Sequence, residues 1–237
     1  MASAHRPFAA LLFLLFVGHA MAQEKHDKTK IVLYKDRLAA AWDTVNCVRN
    51  VIKLNPLLFL RGEVPIYYER ALSESLSAEL ALGITYRNYL DLSFAGEPAD
   101  VFSAGTEIVA KPAYHFGLRW YLTHDIEPQG AYVQAEFAFM DRAHDIRTRD
   151  DSGRFTDIRL RDERKYTDVR AYFGYQRLAG NNNWLFDAYC GIGYRTRHIE
   201  AVEEHFDIAD RHWSYTQSTR NDQVVVPFLG VKVGYGF

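Results

Sequence analysis

Residues 76–87 have the sequence LSAELALGITYR, in which apolar side chains alternate with polar or small ones. One set of alternate positions carries Leu76, Ala78, Leu80, Leu82, Ile84 and Tyr86. The other set carries Ser77, Glu79, Ala81, Gly83, Thr85 and Arg87. Successive side chains of a β-strand point to opposite sides of the sheet, so this period of two predicts a strand with one apolar face and one polar face.

The same alternation recurs along most of the chain. Further segments with this period are residues 112–122, 132–139, 168–175, 186–195 and 225–237. Two less regular segments, 51–60 and 64–72, are expected to form a first hairpin, with Pro56 and Pro65 placed where no ladder donor is needed. The sequence therefore predicts an all-β protein: a closed barrel of eight antiparallel strands in up-and-down order.

The connections between the predicted strands alternate in length. Short ones fall at residues 73–75, 124–129 and 179–183, and long polar ones at 88–108, 142–165 and 197–222. Tight turns at one end and long loops at the other are typical of bacterial outer-membrane barrels. The connection at 61–63 departs from this pattern, because it is an unusually short loop for the long-loop end.

One of the long connections contains a turn signal. Asp151-Ser152-Gly153 separates two short segments, 146–149 and 155–160, that have strand character. The fifth and sixth predicted strands could thus extend as a projecting hairpin, whose exposed edge would accept an extended partner by strand addition. A mobile charged loop is the alternative interpretation.

The composition and the first residues of the chain indicate its partners and its cellular location. The net charge of −2 gives no basic field, so we expect no nucleic-acid partner. Residues 1–22 have the pattern of a signal peptide: Arg6, an apolar run, and the cleavage site Ala20-Met21-Ala22. Residues 23–47 would then precede a barrel domain at 48–237. No later apolar run reaches the roughly 18 residues of a transmembrane helix.

The composition of the two strand faces decides which one points outward. The apolar faces are broad, aromatic and almost free of charge, so they would aggregate in water and would overfill a narrow interior. We therefore expect them to face lipid, and we reject a soluble ligand-binding barrel, whose interior would be apolar. The interior is expected to hold balanced, ion-paired charges that leave no wide pore. The predicted interior charges are Lys53, Glu69, Glu79, Arg87, Lys111, Arg119, Glu136, Asp168, Arg170, Asp187 and Lys232.

The last seven residues, VKVGYGF at 231–237, carry a family resemblance. They resemble the C-terminal strand of outer-membrane barrels, in which apolar residues alternate before a terminal aromatic. The chain as a whole resembles small eight-stranded barrels of the OmpA/OmpX type, including the outer-membrane β-barrel domain proteins of Gram-negative bacteria. The resemblance implies residence in outer-membrane lipid and implies that Tyr235 and Phe237 form the signal read by the barrel-assembly machinery. It also suggests a structural or cell-surface role, with an extracellular protein partner bound through the long loops.

Two sets of residues invite other chemistry. His198, His205 and His212, with Glu203 and Glu204, could supply metal ligands, but their seven-residue spacing matches no recognised site. We predict no metal and no cofactor. The second set, which invites comparison with lipid- or peptide-processing enzymes of the outer membrane, is His115, Asp141, His144 and Asp145.

No set of nucleophile, base and orienting residue follows from the sequence, so we predict that the protein is not an enzyme. An enzyme and a narrow solute channel remain the alternatives to the structural or cell-surface role. Cys47 and Cys190 are not expected to form a disulfide, because Cys190 is placed on the lipid face.

Overall fold

The structure is a computed structural model that describes residues 47–89, 102, 104–123, 125, 127–179, 183–208 and 212–237. These residues all belong to one unit, Ala41–Phe237. The predicted signal peptide lies outside the described residues, and so does all of the predicted segment 23–47 except Cys47.

Nine strands and one short helix make up the described fold. Their bounds are β1 Asn50–Leu54, α1 Pro56–Leu60, β2 Glu63–Ala71, β3 Leu76–Thr85, β4 Thr106–Val109, β5 Lys111–Tyr121, β6 Gly130–Arg149, β7 Phe155–Leu178, β8 Trp184–Asp207 and β9 His212–Gly236.

Eight of these strands form a closed ring of antiparallel neighbours. The order is β1, β2, β3, β5, β6, β7, β8 and β9, and β9 pairs with β1 to close the ring. β4 pairs with the part of β6 that continues beyond the end of β5, so β4 and β5 share one place in the ring on either side of Ala110. The predicted all-β, eight-stranded up-and-down architecture is confirmed. We call this ring the barrel.

The ladder around the barrel is staggered. Starting at Leu54, successive partners are Ile66, Leu82, Tyr114, Phe139, Thr167, Thr196 and Gln223. The partner of Leu54 across the closing pair is Val233, so the ladder returns ten residues out of step with Gln223. A stagger of this kind tilts eight strands by about 40° and leaves an interior that side chains alone can fill.

At one end of the barrel the strands begin or end at the same level. At the other end they extend to different heights. The hydrogen-bonded strand ends at Leu72 and Leu76, Leu122 and Ala131, and Ala179 and Trp184 share the first end with Asn50 and Phe237, and we call it the lower end. At the upper end, β1, β2 and β3 are short, whereas β6 to β9 continue far beyond them.

The two faces of the barrel are arranged as the alternation predicted. Along β5, for example, the side chains from Ala113 to Tyr121 are buried and exposed in turn. Every strand of the ring has apolar residues at its exposed outward positions, with Leu82, Phe116, Val169, Ile192 and Leu229 each exposed by half or more, and Arg70 and Arg177 are outward charges near the lower end. The inward positions hold charged, tyrosine, alanine and glycine residues.

The first predicted hairpin needs a correction. The expected strand at 51–60 ends at Leu54, and α1 takes up its second half. Asn55 causes the change: its side chain accepts hydrogen bonds from the backbone N–H groups of Leu57 and Leu58, as an N-cap does. Pro56 at the first helical position needs no N–H partner there.

Two of the predicted long loops are strands instead. Residues 142–165 continue β6 and β7 as a hairpin around the turn at 150–154, so the projecting hairpin is confirmed and the mobile loop is not. Residues 197–222 were expected to be a loop, but the described ones, 197–207 and 212–222, pair with each other as parts of β8 and β9. On β9 their side chains are exposed or partly exposed on both faces, which erases the apolar alternation that reveals a strand with one buried face, whereas Arg197, Ile199 and Val202 on β8 are buried.

Two further observations complete the fold. Both cysteines are free, and Cys190 lies on the exposed outer face as expected. No described helix is long and apolar enough to cross a membrane.

Candidate functional site

The barrel interior is the most highly organised polar region of the described chain. The nine predicted interior charges Lys53, Glu69, Glu79, Arg119, Glu136, Asp168, Arg170, Asp187 and Lys232 are all buried, none more than 5% exposed. The remaining two differ. Arg87 lies beyond the end of β3 with its guanidinium over the Phe102 ring, and Lys111 at the first position of β5 is partly exposed.

Arg119 on β5 lies at the centre of the lower half of this interior. Its guanidinium contacts carboxylates from three other strands: Asp187 at 3.0 Å, Glu79 at 3.2 Å and Glu69 at 3.4 Å. Lys53 contacts the same three carboxylates, and Lys232 forms an ion pair with Glu79. Three cations thus balance three carboxylates, and we call this group the Arg119 cluster.

Neutral side chains complete the hydrogen bonding of the Arg119 cluster. Gln134 accepts from Arg119 at 2.8 Å and donates to Glu79 at 3.1 Å. Gln176 accepts from Lys53 at 2.7 Å, and the hydroxyl groups of Tyr121 and Tyr132 donate to Glu69 and Asp187. Buried charges are tolerated when they are paired and hydrogen-bonded in this way.

His115 lies in a second cluster above the first. Its Nε2 lies 2.5 Å from Glu63, and its Nδ1 lies 3.1 Å from Glu136. Ionised carboxylates only accept hydrogen bonds, so between two ionised carboxylates both ring nitrogens donate and the ring is an imidazolium. Arg170 and Arg195 share Asp168 in the same region. With His115 charged, three cations again balance three carboxylates in this His115 cluster.

Glycines on the interior face make room for the tyrosine rings between these clusters. A Cβ on Gly230 would collide with the ring of Tyr189, and a Cβ on Gly174 would collide with the ring of Tyr132. The Tyr189 ring packs on Tyr172 with 4.7 Å between centroids. The interior is therefore filled by side chains from strands on all sides.

Sequence reasoning missed part of the site. Glu63 lies one residue before the predicted second strand, and Gln176 lies one residue beyond the predicted 168–175 segment, so both were left out. Arg195 lies on a predicted polar face and is buried, although it was not counted among the interior charges. Extending the two segments by one residue would have found Glu63 and Gln176, and counting every charge on the predicted polar faces would have found Arg195.

The residues that suggested an enzyme do not come together. His115 is deep in the interior, whereas His144 lies higher on β6, 3.6 Å from Asp162. Asp145 is bound to Arg161 on the opposite face of β6 from His144, and Asp141 pairs with Lys111. Among the described residues, no serine, threonine or cysteine is a hydrogen-bond partner of His115.

The residues that suggested a metal site are dispersed along the upper hairpins. His198 contacts Asn221 and Glu200, His205 contacts Glu203, and His212 contacts Asp151. In the described ranges, no group of three or more potential ligands could hold a metal ion.

The residues of the predicted assembly signal lie at the closing pair of the barrel. Phe237 exchanges two backbone hydrogen bonds with Asn50, and Tyr235 pairs with Ile52. Their side chains are half exposed, and Tyr235 packs edge-on against Trp184. Their role as a signal stays a prediction.

The upper parts of β6 to β9, residues 141–149, 155–165, 196–207 and 212–223, form with β4 a second region, which we call the projecting sheet. Its two hairpins touch near their tips. The Arg149 backbone N–H donates to the Tyr215 hydroxyl at 2.8 Å, and the Arg149 guanidinium lies 4.8 Å from the Trp213 ring.

Comparisons of the chain with protein-family models, with curated proteins and with solved structures found no match.

Proposed function

We propose that the protein is an integral outer-membrane barrel with a cell-surface interaction role. The observation that carries the proposal is the polarity of the ring: apolar outside on every strand, charged and ion-paired inside. A closed ring also pairs its backbone groups internally, which lipid demands of any spanning strand.

The height of the apolar outer band supports the same proposal. On β8 the band runs through Phe186, Ala188, Cys190, Ile192 and Tyr194, and polar residues begin at Thr196. The band thus occupies about 9–11 residues per strand, the length at which a tilted strand crosses a bilayer. Aromatic residues such as Trp184 and Tyr194 lie at its two margins, where interfacial girdles occur.

The filled interior argues for a structural barrel and against a wide pore. Arg119, Lys53 and Lys232 are each 1% exposed or less and are bound by carboxylates from several strands. A solute path through the Arg119 cluster would have to separate these ion pairs.

The interaction role rests on the projecting sheet. Among the described residues, β9 from His212 to Gln223 pairs only with β8, so its other edge is free. The side chains of residues 216–221 are exposed on both faces. A polar free edge of this kind accepts an extended peptide by strand addition. On the hairpin for which an exposed edge was expected, β4 covers the edge of β6.

Labelling of single cysteines tests the proposed orientation. Cys47 and Cys190 are first replaced by alanine, and then Ser218→Cys in the projecting sheet is compared with Ser73→Cys in a lower turn. Both serines are exposed. On intact cells a membrane-impermeant maleimide should label position 218 alone, and position 73 only after the membrane is permeabilised. Equal labelling of both positions on intact cells would refute the proposal.

A proline substitution tests the free edge of β9. Thr219 is at a position whose backbone N–H faces the free edge, whereas the N–H of Ser218 faces β8. A photo-reactive residue at Gln217 should capture a protein partner on whole cells. Thr219→Pro should abolish that capture while leaving barrel assembly intact; unchanged capture would exclude strand addition at this edge.

A further inference from the structure

In the part of the chain that the structure describes, the barrel wall is interrupted between β2 and β9. β1 ends at Leu54, which pairs with Ile66 on β2 and Val233 on β9. Above Leu54, no described strand lies between β2 and β9, although the outward residues of β9 stay apolar up to Val225. The upper half of the apolar band therefore lacks one strand at this point of the ring.

The direction of the backbone groups follows from the closing pair. Asn50 and Phe237 exchange N–H···O bonds, so odd-numbered residues of β9 direct their N–H groups toward β1. At the interruption these are Val225, Leu229 and Val231, and the remaining odd position is Pro227, which has no N–H.

The opposite margin carries a second proline. The Ala71 N–H donates to Arg49 O, so odd-numbered residues of β2 face β1 as well. Pro65 is the odd-numbered residue directly above the last β1 contact at Ile66. Prolines are tolerated in strands where no ladder donor is required. Each margin of the interruption thus has a proline that faces it.

The short helix α1 fills the interruption. It contacts both β2 and β9, but no backbone hydrogen bond joins it to β9 among the described residues. Its attachments are at its ends: Asn55 caps it and donates to the Tyr189 hydroxyl at 2.8 Å, the Tyr89 backbone N–H donates to Leu60 O at 3.0 Å, and Arg142 donates to Arg61 O at 2.8 Å. In the rest of the wall that the structure describes, neighbouring strands are joined by a ladder of backbone hydrogen bonds, so α1 separates with fewer broken hydrogen bonds than a strand.

The inner face of β9 beside the interruption carries apolar side chains, and the Arg170 guanidinium lies over the Phe228 ring, 4.3 Å from its centroid. Val226 and Phe228 point inward from β9 and form a buried cluster with Tyr172 and Tyr189, against which Val224 packs. Lower on the same face of β9, Lys232 belongs to the charged interior. An apolar lining therefore lies behind the described segment of wall that has no ladder.

We propose that this interruption is a lateral opening, closed by α1, through which one acyl chain of a membrane lipid reaches Val226 and Phe228. The inference rests on the proposed membrane location. An acyl chain fits the apolar lining and requires no hydrogen bonds from the wall. An inserted peptide strand would need donors on both margins, and Pro227 and Pro65 remove one from each.

Photo-crosslinking in phosphatidylcholine vesicles with alkyne-tagged acyl chains tests the opening. Benzoylphenylalanine replaces Phe228 beside the interruption, Tyr166 on the inner face of β7, or Phe137 on the outer face of β6. Phe228 and Tyr166 are both buried, whereas Phe137 is half exposed. We expect lipid adducts at positions 137 and 228 and none at 166. A diazirine analogue of leucine at Val226 provides a second inner position in case the Phe228 variant fails to fold.

The outcomes separate the two proposals. Adducts at 137 without adducts at 228 or 226 would overturn the lateral opening and leave the membrane barrel standing. Absence of adducts at 137 in the inserted protein would overturn the membrane barrel itself. Adducts at both 228 and 166 would mean that lipid enters by another route, which also overturns the opening.

A variant in which α1 is less stable provides a second test of the opening. Asn55→Ala removes the cap of α1 and should raise the adduct yield at 228 by about fivefold, which corresponds to about 1 kcal/mol. Ser73→Ala removes a comparable capping oxygen, which accepts from Leu76 N in a lower turn, and should leave the yield unchanged. An equal yield in the Asn55→Ala protein and its parent would contradict the role given to α1.

Discussion

The lower and upper parts of β7 follow the same alternation but carry different outer faces. In the lower part the outward residues include Val169, Ala171, Phe173 and Tyr175, whereas Thr167, Lys165 and Glu163 occupy the next outward positions above. The inward face stays polar throughout, from Gln176 up to Asp162. The outer face therefore reflects the medium that surrounds it. If the barrel lies in a membrane as proposed, the change from apolar to charged outward residues marks the surface of the bilayer.

The two parts also differ in how they use charge. In the barrel, Arg119 is fully buried and shared among three carboxylates. In the projecting sheet, Arg161 forms one exposed ion pair with Asp145 at 2.8 Å. Removing one partner of a buried network leaves uncompensated charge, whereas an exposed pair contributes little. Equivalent substitutions should therefore have unequal costs.

The largest effect is expected at the centre of the Arg119 cluster. Arg119→Met leaves Glu69, Glu79 and Asp187 with too few cations and should lower the free energy of unfolding by about 3–5 kcal/mol. Urea titration in lipid vesicles, followed by tryptophan fluorescence, measures the loss. A cost below about 1 kcal/mol would mean that the interior is hydrated and not a paired core.

A smaller effect is expected where the interior is crowded by aromatic rings. Gly230→Ala places a methyl group against the ring of Tyr189 and should cost about 1–3 kcal/mol in the same titration. Ser218→Ala, on the exposed upper part of β9, is the matched control and should stay within about 0.5 kcal/mol of the parent. Equal costs at both positions would argue that the barrel interior is loosely packed.

A still smaller effect is expected at the exposed pair of the projecting sheet. Arg161→Met removes the partner of Asp145 and should change the free energy of unfolding by about 0–1 kcal/mol. A loss as large as that of Arg119→Met would show that the projecting sheet is held by buried charge, and the contrast between the two regions would fail.

The same pair predicts a shift in titration. The hydrogen bond from Arg161 lowers the pKa of the Asp145 carboxyl from its ordinary value of about 3.9. A lowered pKa means that the pair stabilises the fold above the ordinary pKa, and that this contribution is lost as the pH falls through the lowered one. A carbon-13 NMR titration of the carboxyl should show the pKa rising in Arg161→Met. An identical pKa in the two proteins would contradict the pairing.

The sequence predicted those parts of the molecule in which a strand has two different environments. Alternation located the ring strands and placed nine interior charges correctly, because burial on one side imposes the period of two. It failed for the upper part of β9, since Gln217 and Ser218 face opposite sides of the strand and are both exposed, so nothing selects apolar residues there.

Two other features were not predicted from the sequence, one for a local reason and one because it depends on a long-range contact. α1 was missed although Asn55-Pro56 is a recognisable helix start, because the apolar run after it also fits a strand. The pairing of His115 with Glu63 could not be foreseen, because it joins residues 52 positions apart through the curvature of the barrel.

Two arginine substitutions on β7 test the proposed membrane boundary most directly. Phe173 and Ile158 are both exposed by half or more, at 55% and 63%, but Phe173 lies in the middle of the apolar band and Ile158 lies in the projecting sheet. In lipid vesicles Phe173→Arg should cost about 2–4 kcal/mol of folding free energy, because it places a charge near the bilayer core. Ile158→Arg should stay within about 0.5 kcal/mol of the parent, as expected in water. Equal, small costs at both positions would contradict the membrane barrel.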